Sequence, residues 1–102
     1  MKLGRISVNG PDGAEARLVL VVPEERRVID LKRALHEQLV KEGSSREAAL
    51  QYANAVFPGS MSAAIALGTP FIQAAEKINA KRPDAHSTSF DSVQWLPASD
   101  PS

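Results

Sequence analysis

The chain contains no cysteine, and this absence excludes several classes of small protein. Without thiols there can be no disulfide framework, no Cys-ligated zinc or iron–sulfur site and no thiol nucleophile. An excess of charge of one sign is also missing, because 12 Lys and Arg balance 12 Asp and Glu. The formal net charge of 0 therefore provides no general attraction to nucleic acid or to an anionic membrane.

Long apolar runs are absent as well. No apolar run, including that at residues 18–22, exceeds five residues, whereas a membrane-spanning helix needs about 20. No apolar run of signal-peptide length follows the basic start at residues 1–5. We therefore expect a cytoplasmic protein that binds neither membrane nor nucleic acid. Its 102 residues suffice for one domain with one core.

The first 30 residues have the pattern of an antiparallel β-meander. Partly alternating apolar residues near the start are followed by a Gly-containing turn at 9–13 and a run rich in β-branched residues at 15–22. A second turn at 23–27 leads to a short third strand at 28–30. Because residues 18–22 are apolar at successive positions, we expect the middle strand to be covered on both faces.

Helical spacing replaces the strand pattern after Asp30 and predicts four short helices. Asp30 is the expected N-cap of the first helix. Ser44, with Glu47 three residues later, predicts a capping box for the second. Ser60 is the expected N-cap of the third, and the fourth begins at residues 69–70, where a proline suits the first turn.

The composition changes at residue 83. Residues 83–102 hold three prolines, six hydroxyl residues and no Lys or Arg. Residues 90–96 alternate between apolar and polar and predict a late strand that returns to the sheet, whereas the end of the chain is typical of a linker. The expected fold is α+β, with one domain at 1–82 that comprises the meander and four helices, followed by the Pro/Ser-rich segment.

Two histidines are the first candidates for a reactive site. His36 and Glu37 begin like the zinc signature H-E-x-x-H, but Val40 occupies the position of the second histidine. We interpret His36 as a solvent-exposed helix residue. His86 has Asp84 and serines nearby, but residues so close together on a polar tail rarely hold the geometry of a catalytic relay, so a linker histidine is the favoured interpretation.

Two further short motifs have structural explanations. Glu24 and Glu25 are adjacent carboxylates, but adjacent residues of an extended chain point in opposite directions, and two arginines follow them. Gly59 and Ser60 precede a helix with a spacing that matches neither the phosphate loop nor the dinucleotide fingerprint, and helix capping accounts for Ser60. No reaction centre emerges from these residues.

The few aromatic residues predict packing rather than nucleic-acid stacking. Phe90 and Trp95 have no basic neighbours in sequence, which a stacking platform for single strands would need. They are expected to pack in a strand or to anchor a neighbouring domain. The candidate domain-packing residues are Phe57, Met61, Phe71, Phe90 and Trp95.

Four stretches together match a known pattern. They are Met1-Lys2-Leu3-Gly4-Arg5-Ile6, Val28-Ile29-Asp30-Leu31, Phe57-Pro58-Gly59-Ser60-Met61-Ser62-Ala63-Ala64-Ile65-Ala66-Leu67-Gly68 and Val93-Gln94-Trp95-Leu96-Pro97-Ala98. In these stretches the chain resembles the N-terminal domain of the fumarylacetoacetate hydrolase family, which includes acylpyruvate-type hydrolases, isomerases and decarboxylases. The resemblance covers nearly the whole chain and consists of packing and capping patterns.

The resemblance implies an accessory domain that is not catalytic by itself. In the family, the metal-binding carboxylates and the catalytic His and Glu residues lie in a larger C-terminal domain, so no catalytic, cofactor-binding or metal-binding residue is carried over to this sequence. The parent enzyme would use Mg²⁺ or Mn²⁺ to polarise a dicarbonyl acid for hydrolysis, isomerisation or decarboxylation. The expected partner is the catalytic domain of the same protein, and a homodimer is a further expectation.

Two other interpretations stay open. The chain could be a free-standing interaction or self-association module without enzymatic activity, in which Phe90 and Trp95 bind a partner or a second copy. It could also be a small independent enzyme. The residues in favour of that interpretation are only His36, His86 and scattered carboxylates.

Overall fold

A computed structural model describes residues 2–10, 13–82 and 86–96, apart from the side chains at positions 9, 10 and 61. The described residues form five strands and four α-helices, together with 3₁₀ turns. In chain order they are β1 (Lys2–Gly10), β2 (Gly13–Val22), a 3₁₀ turn (Pro23–Glu25), β3 (Arg27–Asp30), α1 (Leu31–Lys41), α2 (Arg46–Val56), α3 (Met61–Leu67), α4 (Thr69–Lys81), β4 (Ser87–Ser89), a second 3₁₀ turn (Phe90–Ser92) and β5 (Gln94–Leu96).

The five strands form one antiparallel sheet in the order β4-β3-β2-β1-β5. The predicted meander is its centre: β1 pairs with β2 from Lys2↔Val21 to Gly10↔Gly13, and β2 pairs with β3 at its C-terminal end. With the four helices, this arrangement confirms the α+β fold. None of the helices in the described ranges is long and apolar enough to cross a membrane.

The middle strand β2 is covered on both faces, as its continuous apolar run predicts. Leu18 and Leu20 belong to the main core, which the helices complete. Val19 points to the other face and packs with Ile6 and Val28 in a second, smaller cluster. The partly buried side chains that pack against this smaller cluster are Val8, Val21, Phe90 and Val93.

The helix starts follow mostly from local sequence. Asp30 and Ser60 cap α1 and α3, and each accepts a hydrogen bond from the backbone N–H three residues later. The capping box predicted at Ser44 and Glu47 is wrong by one residue, because the side chain of Ser45 caps α2.

The end of α1 explains this shift. Gly43 adopts a positive φ of 106°, and the N–H of Ser44 bonds to the carbonyl oxygen of Leu39 at 3.0 Å. This is the hydrogen bond that closes a helix with a left-handed glycine after its last turn. Ser44 therefore completes α1, and the next residue is the first that can cap α2.

The strand predicted at residues 90–96 is shorter in the structure, where β5 covers residues 94–96. β4 pairs with β3 and β5 pairs with β1, so the tail forms both edges of the sheet. Between them, Phe90 begins a 3₁₀ turn, and Phe90 and Val93 pack on the smaller apolar cluster. The alternating apolar residues therefore belong partly to a segment that crosses one face of the sheet and partly to the strand β5.

The crossing requires a strongly coiled sheet. Five residue steps join Ser89 to Gln94, a reach of at most about 17 Å. Through the intervening strands, Ser89 is in register with Val22 of β2 and Gln94 with Ala16. On a flat sheet these two positions would lie roughly 27 Å apart, from four strand spacings across and six residues along. The accumulated twist of five strands therefore brings the two edges towards each other over this face.

Candidate functional site

Two of the candidate domain-packing residues lie inside the core of this chain. Phe57 follows α2 and Phe71 lies in the first turn of α4, and both are buried. Their ring centroids are 5.8 Å apart in an edge-to-face contact. Both rings are therefore enclosed by this chain's own residues. The side chain of Met61 lies outside the described residues.

The other two candidates lie together at the surface. The rings of Phe90 and Trp95 meet edge to face, with centroids 5.6 Å apart. Phe90 is partly buried, whereas Trp95 on the edge strand β5 is 46% exposed. The guanidinium of Arg26 lies 5.8 Å from the centroid of the Phe90 ring and also pairs with Asp91 at 3.6 Å.

A groove of about 320 Å³ lies beside this aromatic pair, and we call it the edge groove. Its wall and floor come from β1, β5 and the end of β2, and the cationic residues Lys2 and Arg5 are among those that line it. Gly4 lets the Trp95 ring approach β1, because a Cβ at Gly4 would lie 3.2 Å from the ring. The edge groove therefore combines an apolar surface with positive charge.

The edge groove also borders the place where the pairing of β5 with β1 ends among the described residues. Within the described residues, β5 pairs with β1 only at positions 5–7, so positions 2–4 of β1 extend beyond the end of β5. Leu96 is the last residue of β5 and lines the groove. A strand edge next to an apolar groove is the kind of surface on which another chain can dock.

Arg5 connects the edge groove to the helices. Its Nε–H donates to the carbonyl oxygen of Gly59 at 3.0 Å. Gly59 in turn lies so close to β2 that a Cβ there would be 2.8 Å from the carbonyl oxygen of Ala16. Gly59 is thus explained by a close approach of two backbones, in addition to the helix cap at Ser60.

The adjacent carboxylates Glu24 and Glu25 join two elements instead of forming a reactive pair. Arg82 Nη1 lies 2.7 Å from Glu24 Oε1 and 3.4 Å from Glu25 Oε2, and Arg27 lies 3.2 Å from Glu25. A backbone hydrogen bond at Glu24 and the Arg82 side chain lower the pKa of Glu24. These ion pairs connect the first 3₁₀ turn to the end of α4.

The two histidines line the same cavity in the fold. His36 Nε2 lies 3.3 Å from the carbonyl oxygen of Arg46. The interpretation of His86 as a linker residue is wrong, because its ring contacts the carboxylate of Glu37 on α1. Asp84, the other member of the suggested relay, lies outside the described residues. Within the described ranges, no group of three His, Asp or Glu residues could hold a metal ion.

A partly buried charge network was not expected from the sequence. Arg17 on β2 lies 3.0 Å from Asp30 Oδ2 and 3.4 Å from Glu15 Oε2, and Lys32 lies 3.2 Å from Glu15 Oε1. Burial raises the pKa of Glu15, but the hydrogen bonds from Arg17 and Lys32 outweigh it and lower the pKa overall. These partners are up to 17 residues apart, so no local pattern predicts their pairing.

No family model, curated protein or solved structure matches this chain.

Proposed function

We propose that this chain is an accessory domain that docks a metal-dependent, fumarylacetoacetate hydrolase-like catalytic domain of the same protein at the edge groove. The observation that carries the proposal is the half-exposed Trp95, which lies over an apolar groove of about 320 Å³ where β5 ends. Aromatic side chains in such positions are enriched at the centres of protein interfaces.

The stretches that carry the family resemblance support this choice of surface. Residues 1–6 and 93–98 are distant in sequence, yet Ile6 pairs with Trp95 across β1 and β5. The stretch at 57–68 meets the same place through the hydrogen bond between Arg5 and Gly59. Three of the four resembling stretches thus converge at or beside the edge groove.

The two domains have different roles. The catalytic domain holds Mg²⁺ or Mn²⁺ and polarises a dicarbonyl acid for hydrolysis, isomerisation or decarboxylation. This chain binds and orients that domain through an apolar contact at Trp95. Lys2 and Arg5 at the groove favour an acidic rim on the partner and so select the docking orientation. A cytoplasmic location belongs to the same proposal, and imaging of the tagged full-length gene product tests it.

A binding experiment tests the docking. The chain is mixed with the catalytic domain encoded in frame after Ser102 or, if the frame ends there, with a family catalytic domain freed of its own N-terminal domain, and the mass is measured by light scattering. We expect a 1:1 complex that Trp95→Ala weakens by roughly 30-fold, as is typical of a central aromatic residue in an interface.

Ile72→Ala is the matched control, because Ile72 on α4 is also 46% exposed but lies outside the edge groove. It should leave the complex unchanged. Absence of any complex, or equal weakening by both variants, would refute the proposed docking. An unrelated sequence after Ser102 would remove the basis for the family assignment.

A second candidate function is self-association without enzymatic activity. The exposed apolar residues on the helices favour it, and Ile65 is the most exposed of them at 65%. The others on the helices are Leu50, Tyr52, Leu67 and Ile72. If mass rises with concentration and Ile65→Lys restores the monomer while Trp95→Ala does not, a homodimer through the helical face is the correct interpretation.

A further inference from the structure

A second cavity lies on the helical side of the molecule, and nothing in the proposed docking uses it. It measures about 250 Å³ and lies between α1, the first residue of α2 and the residue that precedes β4. We call it the basic cavity, and its lining residues are Arg33, His36, Glu37, Val40, Arg46 and His86. Four of these six side chains are arginine or histidine.

Glu37 is the one carboxylate among the described residues that line the cavity, and it is already paired. Lys41 Nζ lies 3.0 Å from Glu37 Oε1, and the His86 ring contacts the other oxygen. The hydrogen bond from Lys41, followed by that from His86, lowers the pKa of Glu37, so this group stays ionised and occupied by its two partners near neutral pH. Glu37 therefore leaves the two arginines of the cavity uncompensated.

Arg33 and Arg46 are both exposed, and within the described residues neither side chain makes an ion pair with a carboxylate. Each guanidinium is a planar fork that can donate two parallel hydrogen bonds to an oxyanion. Two such groups on the walls of one cavity are the arrangement that a phosphate or a carboxylate cluster requires.

His36 has a defined orientation in this cavity. A carbonyl oxygen only accepts hydrogen bonds, so Nε2 of His36 donates its proton to the carbonyl oxygen of Arg46. This hydrogen bond holds the imidazole ring of His36 at the wall of the cavity, between α1 and the start of α2.

We propose that the basic cavity binds a compact, multiply charged oxyanion, either a phosphate group or a small di- or tricarboxylate, between the guanidinium groups of Arg33 and Arg46. Among the described residues, Glu37 and Lys41 are the other charged groups at this place, and they neutralise one another. This inference does not depend on the docking of a catalytic domain.

Titration of the full chain, followed by two-dimensional amide NMR, tests the proposal. Sulfate serves as the general probe of oxyanion binding, and inorganic phosphate and citrate, compared at pH 8, distinguish the two sources of the oxyanion. We expect saturable changes of amide chemical shift that are confined to α1, the start of α2 and residues 86–88.

Substitutions locate the site. Arg33→Gln and Arg46→Gln should each weaken binding by about tenfold, the loss expected for one charge-assisted hydrogen bond. Lys81→Gln is the matched control, since it removes the same charge from an exposed position in the last turn of α4. It should leave the affinity unchanged.

Chemical-shift changes that spread over the surface without saturating would overturn the proposal. Equal losses of affinity in the Lys81 and Arg33 variants would also overturn it. All three substitutions are at exposed positions, and amide spectra without ligand show whether each variant keeps the native fold.

Discussion

Substitution of Asp30 should separate two interactions that one carboxylate makes. Oδ1 accepts the N–H of Arg33 at 3.1 Å and caps α1, while Oδ2 lies 3.0 Å from Nη1 of Arg17 on β2. The two ion-paired side chains are only 14% and 16% exposed. Asp30→Ala removes both interactions, whereas Asp30→Asn keeps a capping oxygen and removes the charge.

The expected losses of stability follow from these geometries. A helix N-cap contributes about 1 kcal/mol. An exposed ion pair contributes about 0–1 kcal/mol, and breaking a fully buried one costs about 3–5 kcal/mol. The Arg17–Asp30 pair lies between these limits, and Arg17 retains Glu15 at 3.4 Å, so we expect about 1–2 kcal/mol for its loss. Asp30→Asn should thus cost about 1–2 kcal/mol and Asp30→Ala about 2–3 kcal/mol.

Urea and thermal unfolding at pH 7 measure these differences, and each kcal/mol should lower Tm by about 4–8 °C for a domain of this size. Arg17→Gln is added to the native chain and to the Asp30→Asn variant as a double-mutant cycle. Arg17→Gln should lower the free energy of unfolding by less in the Asp30→Asn variant than in the native chain. Equal losses for Asp30→Asn and Asp30→Ala would refute the cap, and a cycle without coupling would refute the ion pair.

Two other predictions concern stability. Gly59→Ala should cost about 1–3 kcal/mol, because the new Cβ would lie 2.8 Å from the carbonyl oxygen of Ala16 and one backbone must move; an unchanged Tm would contradict this close approach. The lowered pKa of Glu15 means that its stabilising effect is complete above the ordinary carboxyl value of 4.5 and is lost as the pH falls through the lower value of the folded state. Glu15→Gln should therefore make the free energy of unfolding fall less steeply below about pH 4.5, which urea unfolding at several pH values measures. If the native chain and the variant lost stability in parallel as the pH fell, a role for Arg17 and Lys32 would be excluded.

Local sequence predicted most elements of the fold. The meander, the four helices and the caps at Asp30 and Ser60 all follow from turn residues, periodicity and capping preferences. The start of α2 was misplaced because Ser44 and Ser45 both suit an N-cap. The end of α1 occupies Ser44, and only the path of the backbone there distinguishes the two serines.

The tail shows where a local pattern is insufficient. Alternation at residues 90–96 predicted a strand, and β5 lies within that range. The pattern did not predict that β4 and β5 join opposite edges of the sheet, because their partners β3 and β1 are about 60 and 90 residues away. The apolar residues between them are instead explained by the cluster beneath the sheet.

In the candidate sites too, the sequence indicates single residues, whereas the fold decides which residues lie beside them. Trp95 and Phe90 were recognised from sequence as packing residues, but Gly4 was not, and it is the position that lets Trp95 lie close to β1. The sequence predicts a solvent-exposed helix residue at His36 and a linker residue at His86. Their common cavity depends on a contact with Glu37 that spans 49 residues.

By itself, the sequence determined the α+β class, the meander and the approximate limits of the helices. These features depend on interactions within about five residues, whose energies the local residues set directly. Only the tertiary structure decided which strands form the sheet edges, which charges pair and where the two cavities lie. Those features join residues that are far apart in the chain, and their contacts exist only after the sheet has coiled and the helices have packed on it.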